Sequence, residues 1–286
     1  MSGSVNLSIP SYLPTLFAAS TPGNSLLATL YGYAGPTPGT INPIAALQQA
    51  KTGETNQVAL IAAEPQVKRD ITQFTAALAA AKTPAQLLAN PAALKVLLTA
   101  NGLGDQVANT ALATQALLSD PSKPNALATQ LSDSRWLTMN KTYAFATKGL
   151  TLLNTPKAIA AITNGYAEVL WRTGLDQTTP GLSNALDFQA RASTITNVDQ
   201  VLGDPTFRAV ITTALGVPQN IAFQDITAQE QAISTRIDLK QFKDPTFVTQ
   251  FTQRYLIAAQ QAASLAAGTG TADLTTLAGQ SAGILA

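Results

Sequence analysis

Apolar side chains recur along this chain at helical intervals. Val67, Ile71, Phe74 and Leu78 fall at i, i+4, i+7 and i+11, and Leu94, Leu97 and Leu98 at i, i+3 and i+4. Trp136, Met139, Tyr143 and Ala146 keep the same spacing, as do Ile159, Ile162, Tyr166 and Val169. Such a stripe marks a helix that buries one face. No alternating strand pattern and no hairpin turn flanked by one stands out, so the predicted fold is all-α.

The punctuation supports many short helices. Asn42-Pro43, Asn90-Pro91, Asp120-Pro121, Asp204-Pro205 and Asp244-Pro245 each precede a segment rich in Ala, Leu or Val or bearing an aromatic. An Asx side chain at the N-cap accepts an orphan backbone N–H, and Pro at the next position has its φ already set, so each dipeptide predicts a helix start. Gly102, Gly149, Gly203 and Gly216 fall where those segments should stop, as glycines just past a helix end do.

The pattern also repeats. At an offset of 114 positions, Phe74 meets Phe188, Pro91 meets Pro205, Val96 meets Val210, Gly102 meets Gly216 and five further pairs of Ala, Thr, Gln or Leu coincide, as does Ala108 with Ala222. That makes ten identities in 35 ungapped positions. An internal duplication follows as the expectation, with homologous helical units at 41–150 and 151–265 between irregular segments at 1–40 and 266–286.

Charge separates these flanks from the middle. Nothing before Lys51 is charged, and beyond Arg254 only Asp273 is, so 32 of the 33 charged side chains lie between Lys51 and Arg254. The first 40 residues mix apolar side chains with Pro10, Pro14, Pro22, Pro36 and Pro38, which denies a long helix. Flanks that lack the charge needed to stay solvated, and are too broken to pack on themselves, suit ordering against a protein partner. The expected assembly contacts are Leu13, Phe17, Leu26, Leu27, Leu30, Tyr31, Tyr33, Leu274, Leu277 and Ile284, with both flanks mobile or extended in the isolated chain.

Composition narrows the chemistry. The chain has no His and no Cys, which removes Ser-His-Asp triads, thiol nucleophiles, and imidazole or thiolate metal sites. Seventeen Lys and Arg against sixteen Asp and Glu leave no basic excess for phosphates. Nucleic acid is not an expected partner, nor is a small-molecule substrate or a cofactor. No stretch of about 18 apolar residues exists to cross a bilayer. Residues 1–50 contain no Lys or Arg, so no cleavable secretory signal is predicted, and any export is expected by a route that reads an unprocessed N-terminus.

Individual motifs read structurally. Gly102-Leu103-Gly104 lacks the third glycine and the preceding strand of a dinucleotide loop, and reads as a helix end and turn. The pairs Asp199/Asp204 and Asp238/Asp244 lack EF-hand spacing, and Asp204 and Asp244 are accounted for as caps. Trp136, Tyr143, Phe207, Phe247 and Phe251 read as core. Lys68-Arg69-Asp70 reads as a solvated helix face, and Asn6-Leu7-Ser8 and Asn140-Lys141-Thr142 match the glycosylation triplet.

Four phrases carry a family resemblance: Leu97 to Asp105 (LLTANGLGD), Leu131 to Trp136 (LSDSRW), Ala185 to Phe188 (ALDF) and Ala214 to Pro218 (ALGVP). Over roughly residues 60–260 the chain resembles the bacterial domain-of-unknown-function family 1217, whose members are sometimes labelled flagellar basal-body rod proteins. The resemblance implies a duplicated helical domain linked to the flagellum, in a bacterial protein that stays in the cytoplasm or is exported through a flagellar-type apparatus, and supplies no catalytic or ligand residues. Axial flagellar proteins are similar in their scarcity of cysteine and aromatics and in termini that order on assembly. The leading expectation is a non-enzymatic structural or assembly protein. The alternative is a soluble adaptor or chaperone-like module that holds a partner segment between its two units.

Overall fold

A computed structural model describes residues 42–266 of the 286-residue chain. All regular structure in this range is helical, with no strand among the described residues. The first half runs α1 (Pro43–Ala63), α2 (Pro65–Ala80), α3 (Pro84–Leu88), α4 (Pro91–Ala100), α5 (Thr110–Leu118), α6 (Leu127–Gln130), α7 (Ser134–Tyr143) and α8 (Phe145–Lys148). The second half runs α9 (Pro156–Leu175), α10 (Leu182–Arg191), α11 (Val198–Gly203), α12 (Pro205–Ala214), α13 (Ile226–Ser234) and α14 (Pro245–Ala266). Short 3₁₀ turns at Gly104–Gln106, Ala192–Thr194, Gln219–Phe223 and Leu239–Lys243 link them.

Four of the five Asx-Pro dipeptides start helices. The Asn42 carboxamide accepts from Ile44 N at 2.9 Å, Asn90 from Ala93 N at 3.0 Å, Asp204 from Thr206 N at 2.9 Å and Asp244 from Thr246 N at 2.8 Å. The fifth differs: Asp120 closes an Asx turn on Ser122, 3.0 Å to its N and 2.7 Å to its Oγ. Pro124 follows Pro121 by three positions, and a second ring inside the first turn would remove the next backbone donor and crowd the turn.

Gly102 and Gly216 end α4 and α12 with φ of +75° and +64°. The next residues close matching six-residue loops, Leu103 N to Leu98 O and Val217 N to Thr212 O, both at 2.8 Å, and both side chains are buried. Gly203 departs from its expected role, because it is the last residue of α11 and has no positive φ. It is small for another reason: a Cβ there would collide with the Ser132 carbonyl and stand 2.8 Å from Asp133 N.

The expected apolar stripes face inward. Val67, Phe74, Leu78, Leu94, Val96, Leu97, Leu98, Trp136, Met139 and Tyr143 form one buried cluster. Ala146 is an exception and is exposed, because α7 stops at Tyr143 and Ala144 takes φ +46°, turning Phe145 inward instead. In the second half Phe188 is the hub, with ring centroids 6.1 Å from Phe207, 5.3 Å from Phe242 and 5.9 Å from Phe251. Phe247, half-buried, stacks on Phe251.

The halves share their long helices. Ile162, Tyr166 and Ala167 of α9 complete the first-half cluster, and α9 packs most extensively on α4 and α1. The contact with α4 is close at Gly165, where a Cβ would stand 3.1 Å from the Ala100 carbonyl. In exchange α1 packs on α10 and α14 of the second half. The described residues, Asn42 to Ala266, accordingly belong to one compact unit.

Candidate functional site

Charge drawn into the body gathers along the seam between the halves. Arg135, on α7, pairs with Asp133 at 2.7 Å, with Asp105 at 3.3 Å and with Asp204 at 3.8 Å, and also donates to the Gly102 carbonyl. Asp204 is fully buried and binds Arg191 at 2.6 Å. Arg191 reaches back to Asp187 on its own helix and stacks over the Phe207 ring, 4.4 Å from its centroid. Asp187 meets Arg172 at 3.5 Å, and Arg172 in turn contacts Glu168 on α9 and, at 3.7 Å, Glu54 on α1. Three guanidiniums thus face six carboxylates across both halves.

The electrostatics follow from that imbalance. Burial would lower the Arg135 and Arg191 pKa values, but the hydrogen bonds and charges of Asp133, Asp204 and Asp105 on one, and of Asp187 and Asp204 on the other, hold both above the usual guanidinium range. Burial would raise Asp187, yet Arg191 and then Arg172 hold it below the usual carboxylate range. Glu168 goes the other way. Burial raises it, and the charge of Arg172 does not offset burial combined with the neighbouring Glu54 and Asp187 carboxylates.

A second buried carboxylate, Asp70, departs from the solvated face expected of Lys68-Arg69-Asp70: the lysine and arginine are exposed but Asp70 is not. It accepts from the Tyr166 hydroxyl at 2.6 Å, Lys95 Nζ at 2.9 Å and Gln66 Nε2 at 3.0 Å. Burial pushes its pKa up, but these three partners outweigh it and hold it low, while Tyr166 is raised by burial and by the same carboxylate. The triad ties α2, α4 and α9 together.

These shifts fix the sign of a pH profile. Asp70 and Asp187 have depressed folded-state pKa values, so their stabilisation is present above the ordinary 3.8 and is lost as pH falls through the folded values. Glu168 is raised above its ordinary 4.5, so its contribution is complete below that value and is lost as pH rises through the folded one. The melting temperature should therefore pass through a maximum in mild acid. Glu168→Gln should flatten the neutral side of the curve and Asp70→Asn the acid side. Thermal melts followed by circular dichroism across that range provide the check; a wild-type curve still rising into neutral pH would contradict the assignment.

Other polar residues are structural as well. Asn140 is 1% exposed, and its Nδ2 donates to the carbonyls of Ala116, Leu117 and Ser119 at the end of α5, so the Asn140-Lys141-Thr142 triplet is closed in the folded body. Asp238 caps a 3₁₀ turn through Lys240 N. The aromatics Trp136, Tyr143, Phe207 and Phe251 are all buried. The expected assembly contacts Leu13, Phe17, Leu26, Leu27, Leu30, Tyr31, Tyr33, Leu274, Leu277 and Ile284 lie outside the described residues. Sequence reasoning missed the seam, although the Glu168/Arg172 and Asp187/Arg191 spacings of i, i+4 were a usable signal.

A family model described as a protein of unknown function, DUF1217, matches residues 100–248, just over half of the chain. The chain belongs to the DUF1217 family. The matched stretch opens at the end of α4 and closes within α14, so it contains every member of the seam except Glu54. No curated protein matches the chain. The DUF1217 body is similar in fold to the X-ray crystal structure of a protein from Agrobacterium tumefaciens, with a TM-score of 0.64 and 22% identity over 78% of this chain and 96% of that one. Among the described residues of this DUF1217 member, no helix is long and apolar enough to cross a membrane.

Proposed function

We propose that the protein is a non-enzymatic structural or assembly protein of the bacterial flagellar system, built as a duplicated helical body with low-charge flanks that order on self-association or on a protein partner. The observation that carries this reading is the division of charge. The body spends its buried charges on tying its own helices together, whereas residues 1–41 and 267–286 hold one charged side chain, Asp273. Flanks of that kind gain apolar burial only against another surface. The flagellar part of the reading rests on the family resemblance.

The order of elements supports duplication. Pro43 and Pro156, which open α1 and α9, stand 113 positions apart; α3 and α11 start 114 apart, α4 and α12 also 114, and α7 and α14 start 111 apart. The paired closures at Gly102 and Gly216 fit the same register. Against the rival adaptor reading weighs the packing of α1 and α9 across both halves, with Arg172 reaching Glu54 at 3.7 Å.

Deleting residues 1–41 and 267–286 from the full chain tests the proposal. The truncated body should keep its helical spectrum and cooperative melt but lose self-association in light scattering and lose cofractionation with basal flagellar structures. Unchanged association and fractionation would sink it.

A further inference from the structure

α1 is lightly held for a helix of 21 residues. Pro43, Ala46, Leu47 and Ala50 are buried, but no residue from Lys51 to Ala63 is, and Gly53 weakens the middle of the helix by about 0.5–1 kcal/mol relative to alanine. Its polar ties run to α10, where Lys51 Nζ donates to Gln189 Oε1 at 3.2 Å, and to α9, where Glu54 meets Arg172 at 3.7 Å and hydrogen-bonds to Glu168. The residues that receive it are incompletely satisfied. Gln189 Nε2 and Arg172 Nε are buried without a hydrogen-bond partner, and each donor left so costs about 1–3 kcal/mol. Both lie where α1 docks, so undocking it lets water reach them.

The carboxylates at this junction outnumber their cations. Arg172 faces Glu168 on its own helix, Asp187 on α10 and Glu54 on α1. Asp187 also has Arg191, which it shares with Asp204, so Glu54 and Glu168 are left to one guanidinium. Charges on the surrounding elements are committed elsewhere: Lys51 to Gln189, and Asp70 of α2 and Lys95 of α4 to each other, while Lys68 and Arg69 of α2 and Arg254 of α14 are exposed. An ionised carboxylate only accepts hydrogen bonds, so the Glu54–Glu168 contact needs a proton on one of the two. Burial, with the Glu54 and Asp187 charges added, keeps that proton on Glu168 and raises its pKa above the usual 4.5, against the pull of Arg172.

We propose that one proton shared by Glu54 and Glu168 latches α1 to the body: with it the helix is docked across α9 and α10, and without it the two carboxylates repel and α1 swings out about Glu64. Glu64 is the single residue between α1 and α2, extended at φ −61° and ψ 140°. The remainder stays folded, because the buried cluster of the first half contains no α1 residue and only Val58, Ile61 and Ala62 lean on it. Partial openings of this kind cost less than global unfolding. The docked form carries one proton more than the undocked one. Docking is therefore complete below 4.5 and weakens as pH rises through the folded Glu168 value, by up to about tenfold per pH unit. Because α1 connects residues 1–41 to the body, the latch decides whether that flank leaves from a docked helix or a released one. The latch is a property of the body alone and does not rest on the assembly reading above.

Native-state hydrogen exchange on the full chain, from pH 4.5 into mild alkali and with urea below the unfolding transition, reads the latch directly. After correction for intrinsic exchange rates, the α1 amides beyond Lys51 should open by a route that exposes little surface, with protection below that of α4 and falling by up to about tenfold per pH unit. In Glu168→Gln the amide donates to Glu54 without needing a proton, so α1 should stay as protected at neutral pH as the wild type is in mild acid. Glu54→Gln should do the same. Loss of α1 protection in both variants would mean that the carboxylates serve only as packing, and would overturn the proposal. So would α1 amides protected like those of α4 at every pH, exchanging only with global unfolding, or a pH slope that survives Glu168→Gln. None of these readouts depends on self-association, so the latch and the assembly reading can fail separately.

Discussion

Asp204→Ala should cost roughly 4 kcal/mol. The side chain is fully buried and serves two purposes. Its Oδ1 caps α12 through Thr206 N and Phe207 N, at 2.9 and 3.1 Å, worth about 0.5–2 kcal/mol. Its carboxylate also balances Arg191 and Arg135, and breaking a buried pair by removing one partner costs about 3–5 kcal/mol because a charge is left stranded. The two costs do not add in full, since Arg191 keeps Asp187 and Arg135 keeps Asp133. Asp204→Asn separates them: an amide oxygen can still cap, so its loss should be roughly half that of the alanine variant, all of it from charge. Urea unfolding with an unchanged m-value would measure both. An asparagine variant as stable as the wild type would show that the guanidiniums do not depend on Asp204, and equal losses for the two variants would show that the cap contributes nothing.

Gly203→Ala should cost about 3 kcal/mol or a little more, the upper end for overpacking. At about 2–4 °C per kcal/mol for a body of this size, the melting temperature would fall by roughly 6–12 °C. The new methyl would strike backbone, the Ser132 carbonyl and the Asp133 amide, which cannot rotate away as a side chain can. The segment it would displace also carries Asp133, the main partner of Arg135, so the strain reaches the ionic seam. Gly174→Ala is the control. That glycine lies in α9 with open space around its Cβ position, and the substitution should stabilise by about 0.5–1 kcal/mol. Similar behaviour of the two variants would show that the close approach at Gly203 is not needed.

What could be read from the chain, and what could not, divides by range. The Asx-Pro dipeptides announce α1, α4, α12 and α14 because cap chemistry is settled within three residues. Asp120-Pro121 misleads because the same chemistry builds an Asx turn, and the deciding residue was Pro124 nearby. The helical stripes at Val67 and Leu94 point to the core because periodicity is local. Gly203 was misread because its constraint comes from Ser132, about 70 positions earlier. Asp70 was misread for the same reason, since its hydroxyl partner Tyr166 is 96 positions away. The seam joins Glu54 to Arg172 and Asp133 to Arg191 through intermediates in both halves, and a single sequence does not announce such pairings.

The way α1 is placed has a bearing on how the body comes into being. As the earliest described helix to leave the ribosome, it packs on α14, the latest, so the contacts that hold it span nearly the whole described length. Closing loops that long slows folding, and nascent α1 gains its main cover only once α9 has emerged, with α14 completing it last. The last step in completing the body, the docking of α14 on α1, should therefore be post-translational.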